Sequence, residues 1–166
     1  MTVLTRMQKM LDRHHIPYRM MPHAETFTAK ETVKALGVPV EQMVKTVIIN
    51  AGGRYVMLAV PAGERVDLAK VARVLGTSTV RLATEKEIER LCPDCEIGAM
   101  PPFGDLYEME ELVDHAMLQC REIVCEAGTH REAITMRTGD FTALTHPTIA
   151  DLHADSRVKR GKADSA

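Results

Sequence analysis

Three groups of residues in this sequence have the types and spacing for chemistry on an ester or a phosphate: a lysine opening an apolar run at Lys45, a glycine- and proline-rich loop from Gly98 to Gly104, and a Gly128-Thr129-His130 turn. In Gly98-Ala99-Met100-Pro101-Pro102-Phe103-Gly104, two glycines bracket two adjacent prolines and one aromatic. Glycine opens backbone angles closed to other residues and lets a ligand approach the main chain. Each proline fixes φ and removes a donor. Such a loop is stiff and holds its remaining N–H groups in fixed directions. On its own it reads first as a rigid turn, just as a lone strand-end lysine reads as solvated and a lone turn histidine as unpartnered. Together, fixed N–H donors, a lysine and a histidine can bind and polarise a carbonyl or a phosphate ester. No Ser/His/Asp or Cys/His triad stands out.

The four cysteines offer a rival chemistry. Cys92-Pro93-Asp94-Cys95 has metal-ligand or redox spacing, and Cys120 and Cys125 could complete a four-cysteine zinc site. Two points weigh against it. Cys120 and Cys125 fall on opposite faces of what reads as a strand. Cys92 follows a helix C-terminus, where the dipole raises a thiol pKa. No metal is expected.

The elements that must position these residues are read from periodicity and caps. Val3, Leu4, Met7, Met10 and Leu11 recur at helical spacing, in a first helix ending near Arg13. Ile16 to Met21 reads as an edge strand because of Pro17. Thr28-Ala29-Lys30-Glu31 is a capping box for a helix stopping at Gly37, and Pro39 begins a short turn of helix. Lys45–Asn50 and Tyr55–Val60 form a hairpin turning through Ala51–Arg54; both strands are apolar on both faces, as central strands are. Asp67 caps a helix closed by Gly76; Thr79 to Leu82 is strand-like; Thr84–Glu87 is a second capping box. Strands are expected over Glu111–Asp114, Arg121–Ala127 and His130–Met136, the last two joined by a two-residue Gly128-Thr129 turn, and a last short helix holds Phe141 and Leu144. This pattern predicts an α/β protein of the α+β type: a mixed, largely antiparallel β-sheet flanked by helices. One domain is expected over residues 1–152, followed by a polar basic tail, residues 153–166, carrying Arg157, Lys159, Arg160 and Lys162.

Composition bounds the function. The 166 residues are 45% apolar and 27% charged, with a formal net charge of −2, which suits one globular domain and gives no basic field for non-specific binding to DNA. No apolar run approaches the roughly 20 residues of a membrane span, and the first residues lack the layout of a secretory signal. A cytoplasmic location without membrane contact is expected. Lys70 and Arg73, three apart on one helix, read as a solvated face.

Four ordered segments resemble one family: Gly37-Val38-Pro39 leading into Met43-Val44-Lys45-Thr46; Val60-Pro61-Ala62-Gly63 with Val66-Asp67-Leu68; the Gly98–Gly104 loop; and Ala127-Gly128-Thr129-His130. Over roughly residues 3 to 152 the chain is similar to the YbaK/prolyl-tRNA editing family, the freestanding relatives of the editing domain inserted in bacterial prolyl-tRNA synthetases. The resemblance implies a cofactor-free aminoacyl-tRNA deacylase, acting in trans on a tRNA mischarged with a small amino acid of the alanine, serine, cysteine or threonine class. Its partner would be the 3′ end of aminoacyl-tRNA, with a synthetase as a second candidate. Lys45, Gly98 and Ala99 take the catalytic positions. Thr46, Met100, Pro101, Pro102, Phe103, Gly128 and His130 take the substrate-binding ones. Several members carry asparagine where this chain has Thr46, and many lack the histidine. The alternative from another class is a non-catalytic module that grips charged tRNA ends or a synthetase.

Overall fold

The computed structural model of the protein describes residues 2–155. The elements run α1 (Val3–Arg13), β1 (Tyr18–Pro22), α2 (Ala29–Leu36), β2 (Val44–Ala51), β3 (Arg54–Pro61), α3 (Leu68–Leu75), β4 (Val80–Leu82), α4 (Glu85–Leu91), β5 (Glu110–Asp114), β6 (Glu122–Glu126), β7 (Glu132–Arg137), α5 (Thr138–Thr145) and β8 (Thr148–Ala150), with short 3₁₀ turns at Val40–Gln42, Gly104–Tyr107 and His115–Gln119. The fold is α+β, and its strands make two sheets rather than one. One has the order β1-β7-β6, all antiparallel; the other is β4-β2-β3-β5-β8, antiparallel through β3 and parallel from β3 onward. A single parallel bridge, Met43 to Val124, joins them where β2 enters beside β6.

The capping signals do what their chemistry requires. Thr28 and Thr84 each accept the N3 amide while Glu31 and Glu87 reach back to the cap amides. Asp67 caps α3, and Gly37 and Gly76 end α2 and α3 at positive φ. Gly52 and Gly53, at φ +63° and +99°, make the two-residue turn of the β2–β3 hairpin, which fixes Lys45 opposite Val60. Strands β2 and β3 are covered on both faces, as their continuous apolar runs require. Ile49, Val56, Leu58 and Val60 pack under Val71 of α3. Ile48 and Met57 pack against Cys92, Met100 and Met109. The largest core lies between the sheets, where Met7 and Leu11 of α1 meet Phe103, Ile123, Ile134 and Phe141.

Two sequence expectations give way, and one strand is added. The strand expected from Ile16 begins at Tyr18. The turn after β6 is not two residues: Glu126 pairs with Ala133, and the intervening loop carries Gly128, Thr129 and His130 out toward the other sheet. The short strand β8, invisible to a reading that looked for longer alternating runs, pairs in parallel with β5.

Residues 153–155, expected in the polar tail, are held against the core. Leu152 is fully buried, and its amide and the His153 Nδ1 both donate to Asp114 Oδ2, at 2.9 and 2.8 Å. Lys70 Nζ closes over the segment, donating to the His153 carbonyl and pairing with Asp151 and Asp155. The basic residues from Arg157 onward lie outside the described residues. This clasp should be pH-sensitive. Burial pushes the Asp114 carboxyl up, but hydrogen bonds from His153, Ala116 and Leu152 outweigh it and hold its pKa below the usual range. Its contribution is therefore lost as pH falls through that depressed value. For His153, burial opposes the charged form, but the bond to Asp114 wins and raises its pKa. That contribution is complete below the ordinary imidazole value of about 6.5 and is lost as pH rises through the raised one. Full strength thus falls at about pH 4 to 6.5. We expect His153→Ala to cost about 1–2 kcal/mol there, or about 3–6 °C in Tm, with the difference from the parent shrinking above pH 7. A pH-independent difference in melting scans would refute the linkage.

Candidate active site

A pocket of about 400 Å³ opens at the seam between the two sheets. Its floor is β2 from Val44 to Ile48, and its walls are the start of α2, the Leu82–Ile88 segment, the Ile97–Met100 loop, Glu126 and His130. Of the residues singled out in the sequence, Lys45, Thr46, Gly98, Met100 and His130 line it. These come from three separate places in the chain, and local hydrogen bonds explain how they meet.

The Gly98 and Gly128 loops are zipped together. The Glu96 amide donates to the Gly128 carbonyl, the Gly128 amide to Ala99, and the His130 amide to Glu96 Oε1, at 2.8, 2.9 and 2.8 Å. The His130 Nε2 lies 2.8 Å from the Ile97 carbonyl, an acceptor only, so this nitrogen carries the ring proton. Gly98 sits beneath the ring at φ +88°; a Cβ there would lie 3.5 Å from His130 Cε1. Its amide makes no hydrogen bond within the described residues.

The remaining expected residues do other work. The Ala99 amide is spent on the Glu96 carbonyl at 3.0 Å, so it is not an available oxyanion donor. Ala99, Pro101, Pro102 and Phe103 are buried behind the wall, and Phe103 packs edge-on to Phe141, with centroids 5.5 Å apart. They stiffen the loop rather than touch the cavity. At the loop's end the Gly104 amide donates to the buried Glu111 at 2.7 Å. Gly128 is required by close packing: at φ +100°, a Cβ would fall 1.8 Å from Val3 Cγ1.

Lys45 lies at the rim, half-buried, and its Nζ donates to the Glu64 carbonyl at 2.7 Å. The ammonium is turned toward the loop after β3 rather than the cavity centre. Burial holds its pKa below the ordinary lysine value, with Glu64 opposing and Arg65 assisting.

Two pocket residues escaped the sequence reading. Glu126 ends β6 with its side chain 9% exposed and its pKa pushed up to about 8 by burial, aided by Glu96. A carboxylate closing the apolar run Ile123-Val124-Cys125, four residues before His130, was a signal available in the sequence. Phe27, 68% exposed, stands over the pocket mouth with its ring centroid 5.1 Å from that of His130. It directly precedes the Thr28 cap of α2.

The cysteines divide between cores: Cys92 and Cys95 pack with Ile48 and Met57, Cys125 lies between the sheets, and Cys120 bonds the Glu41 carbonyl. The ligand atoms of Asp114, His115 and His153 lie within 4.8 Å of one another, away from the pocket. Asp114 there already accepts three N–H groups, which is the clasp described above. No described helix is long and apolar enough to cross a membrane.

A sequence model of the aminoacyl-tRNA editing domain matches residues 23–144, a span that contains every wall of this pocket. The chain belongs to the aminoacyl-tRNA editing domain family. Among its relatives is the proline–tRNA ligase of Geobacillus thermodenitrificans, 34% identical over 103 residues, which are 62% of this chain and 18% of that protein. The proline–tRNA ligase of Thiobacillus denitrificans is 30% identical over 115 residues, 67% of this chain and 20% of the ligase. The chain thus spans about a fifth of the length of these ligases. A solved structure described as a proposed trans-editing enzyme for prolyl tRNA synthetase is 29% identical, with a TM-score of 0.80, over 92% of this chain and 98% of that one. A hypothetical protein at 21% identity, also with a TM-score of 0.80, shares the fold.

Proposed function

We propose that the protein is a trans-editing hydrolase that deacylates tRNA mischarged with a small amino acid of the alanine, serine, cysteine or threonine class. The observation that carries this reading is the convergence of Lys45, Gly98 and His130 on one pocket that offers no strong nucleophile. No serine or cysteine lines it, and its hydroxyls are those of Thr28, Thr32 and Thr46. Thr28 Oγ1 caps α2, and Thr32 Oγ1 bonds Thr26 and the Thr28 carbonyl. Such a site suits attack by a placed water on an ester that is already labile.

In this mechanism the Gly98 amide donates to the oxyanion that develops on the ester carbonyl. Lys45, at the rim, holds the phosphate of the terminal nucleotide as a point charge. His130 and the Phe27 ring confine the amino acid. A cavity of about 400 Å³ lies toward the small end of ligand pockets and must also admit part of the terminal ribose, which favours small amino acids. Action in trans is supported by the likeness along nearly the whole of the proposed trans-editing enzyme. The working unit is the domain read as residues 1–152, here extended by its clasp to Asp155.

The test is a deacylation panel of tRNAs mischarged with alanine, serine, cysteine and threonine. Release of at least one amino acid at catalytic enzyme concentration is expected. A protein that binds these tRNAs and cuts none would be the binding module instead.

A further inference from the structure

The pocket's inner end has too many hydrogen-bond acceptors. His23 Nδ1 lies 2.7 Å from the Ala24 carbonyl and therefore carries that ring's proton, leaving Nε2 bare. His130 Nε2 is bonded to the Ile97 carbonyl, leaving Nδ1 bare. Glu126 sits between the two bare nitrogens, its Oε1 3.5 Å from His23 Nε2 and its Oε2 3.9 Å from His130 Nδ1. Glu126 Oε1 and His23 Nε2 are both buried with no hydrogen-bond partner. With both rings neutral, the two imidazoles and the carboxyl share one donor at best, since a carboxyl holds at most one proton. Buried acceptors left in this state are costly unless something supplies the missing hydrogens.

Among the described residues no charged group does so. Lys45 Nζ is turned the other way, toward the Glu64 carbonyl, and Glu96, which accepts the His130 amide, adds only negative charge. The donor must come from the cavity that Glu126 and His130 line. We propose that Glu126 and His130 Nδ1, with His23 orienting the carboxyl from behind, form a seat for the free α-ammonium of the aminoacyl ester. An ammonium brings three N–H donors and a positive charge to an acceptor-rich, desolvated corner. Two acceptors 3.9 Å apart can both bond one nitrogen placed between them. The ester carbonyl, two bonds from that nitrogen, then falls toward the Gly98 backbone, which lies against the same His130 ring.

This assignment rests on the editing reading and adds selectivity to it. A free aminoacyl ester fits, whereas an N-acylated one, such as a peptidyl or formylated ester, has lost the charge and two of the three donors. The domain would act on aminoacyl-tRNA and leave peptidyl-tRNA alone.

Two uncleavable probes test it: 3′-alanylamino-3′-deoxyadenosine and its N-acetyl derivative, titrated into the intact protein by calorimetry. The free amine should bind about 10- to 100-fold tighter, the effect of hydrogen bonds to a charged group. Glu126→Gln, which keeps shape but cannot give up a proton to become the carboxylate that pairs with the ammonium, should abolish most of that ratio by weakening only the free amine. Equal affinities in the parent, binding of neither probe, or equal loss of both in a folded Glu126→Gln would overturn the seat. The parent comparison needs no variant, so a misfolded mutant leaves the test intact. If the probes are discriminated but no mischarged tRNA is cut, the hydrolase reading fails and the seat stands. If alanyl- and N-acetylalanyl-tRNA are cut at the same rate, the reverse holds.

Discussion

Replacing Gly98 with valine is expected to lower kcat/KM for a mischarged tRNA by about 10²- to 10³-fold, the usual cost of losing one oxyanion donor. The reason lies in two features of the same residue. Its φ is +88°, a region that side-chain-bearing residues enter at a cost of about 1–3 kcal/mol. The chain can relieve that strain only by turning the peptide, which displaces the free Gly98 amide. Its Cβ would also stand in van der Waals contact with His130, at 3.5 Å, so the added methyl groups of valine must push the ring or fill the site. The core should survive, because this loop is held at Glu96, Ala99 and Gly104 by hydrogen bonds that valine does not touch. A fall of a few degrees in Tm is expected from the strain. Gly98→Ala carries the same strain without the extra bulk and separates the causes. A loss as deep as that of valine would come from the amide, and a much shallower one from crowding. Activity of Gly98→Val within a few-fold of the parent would reduce Gly98 to a turn residue.

What was legible in the sequence was local chemistry. Capping boxes, αL glycines and apolar runs set the helices and the central hairpin, because each of these signals acts within a few residues. The family resemblance rested on ordered motifs of the same kind. What was not legible depended on separation in the chain. Residue type alone could not tell which face of the Gly98–Gly104 loop looks into the cavity. Met100 lines the pocket while Pro101 and Phe103 are buried behind it, a division settled by packing against α5 and α1. The short strand β8 could not be foreseen because its three residues are strand only by virtue of the exposed edge of β5. Glu126 was passed over for a related reason. A carboxylate at a strand end is usually solvated, and only the loop folding back from Gly128 to Arg131 buries it against two histidines.

Lys45→Ala is expected to cost at least about 10² in kcat/KM while leaving the protein folded. The lysine is the second residue of β2, opposite Val60, so the hairpin delivers its side chain to the pocket rim, where the loop after β3 begins to turn. There its ammonium holds one bond, to the Glu64 carbonyl, and is partly stripped of water, which lowers its pKa. One bond leaves two N–H donors for a phosphate or carbonyl, and partial desolvation makes each worth more than in water. Truncation strands no opposite charge, since the partner is a carbonyl. The stability cost should be about 1 kcal/mol, a Tm shift of a few degrees. If the partner is a tRNA phosphate, the loss should appear mainly in KM, and the dependence of log KM on log salt should flatten by about 0.7, one contact to a single strand. If the partner is the reacting carbonyl, kcat falls and the salt slope is unchanged. Lys45→Arg keeps the charge but replaces a flexible point donor with a planar fork, so it should recover the salt slope more fully than kcat. A Lys45→Ala protein that deacylates as fast as its parent would remove Lys45 from the site and leave the chemistry to the Gly98 amide, His130 and the carboxyl of Glu126.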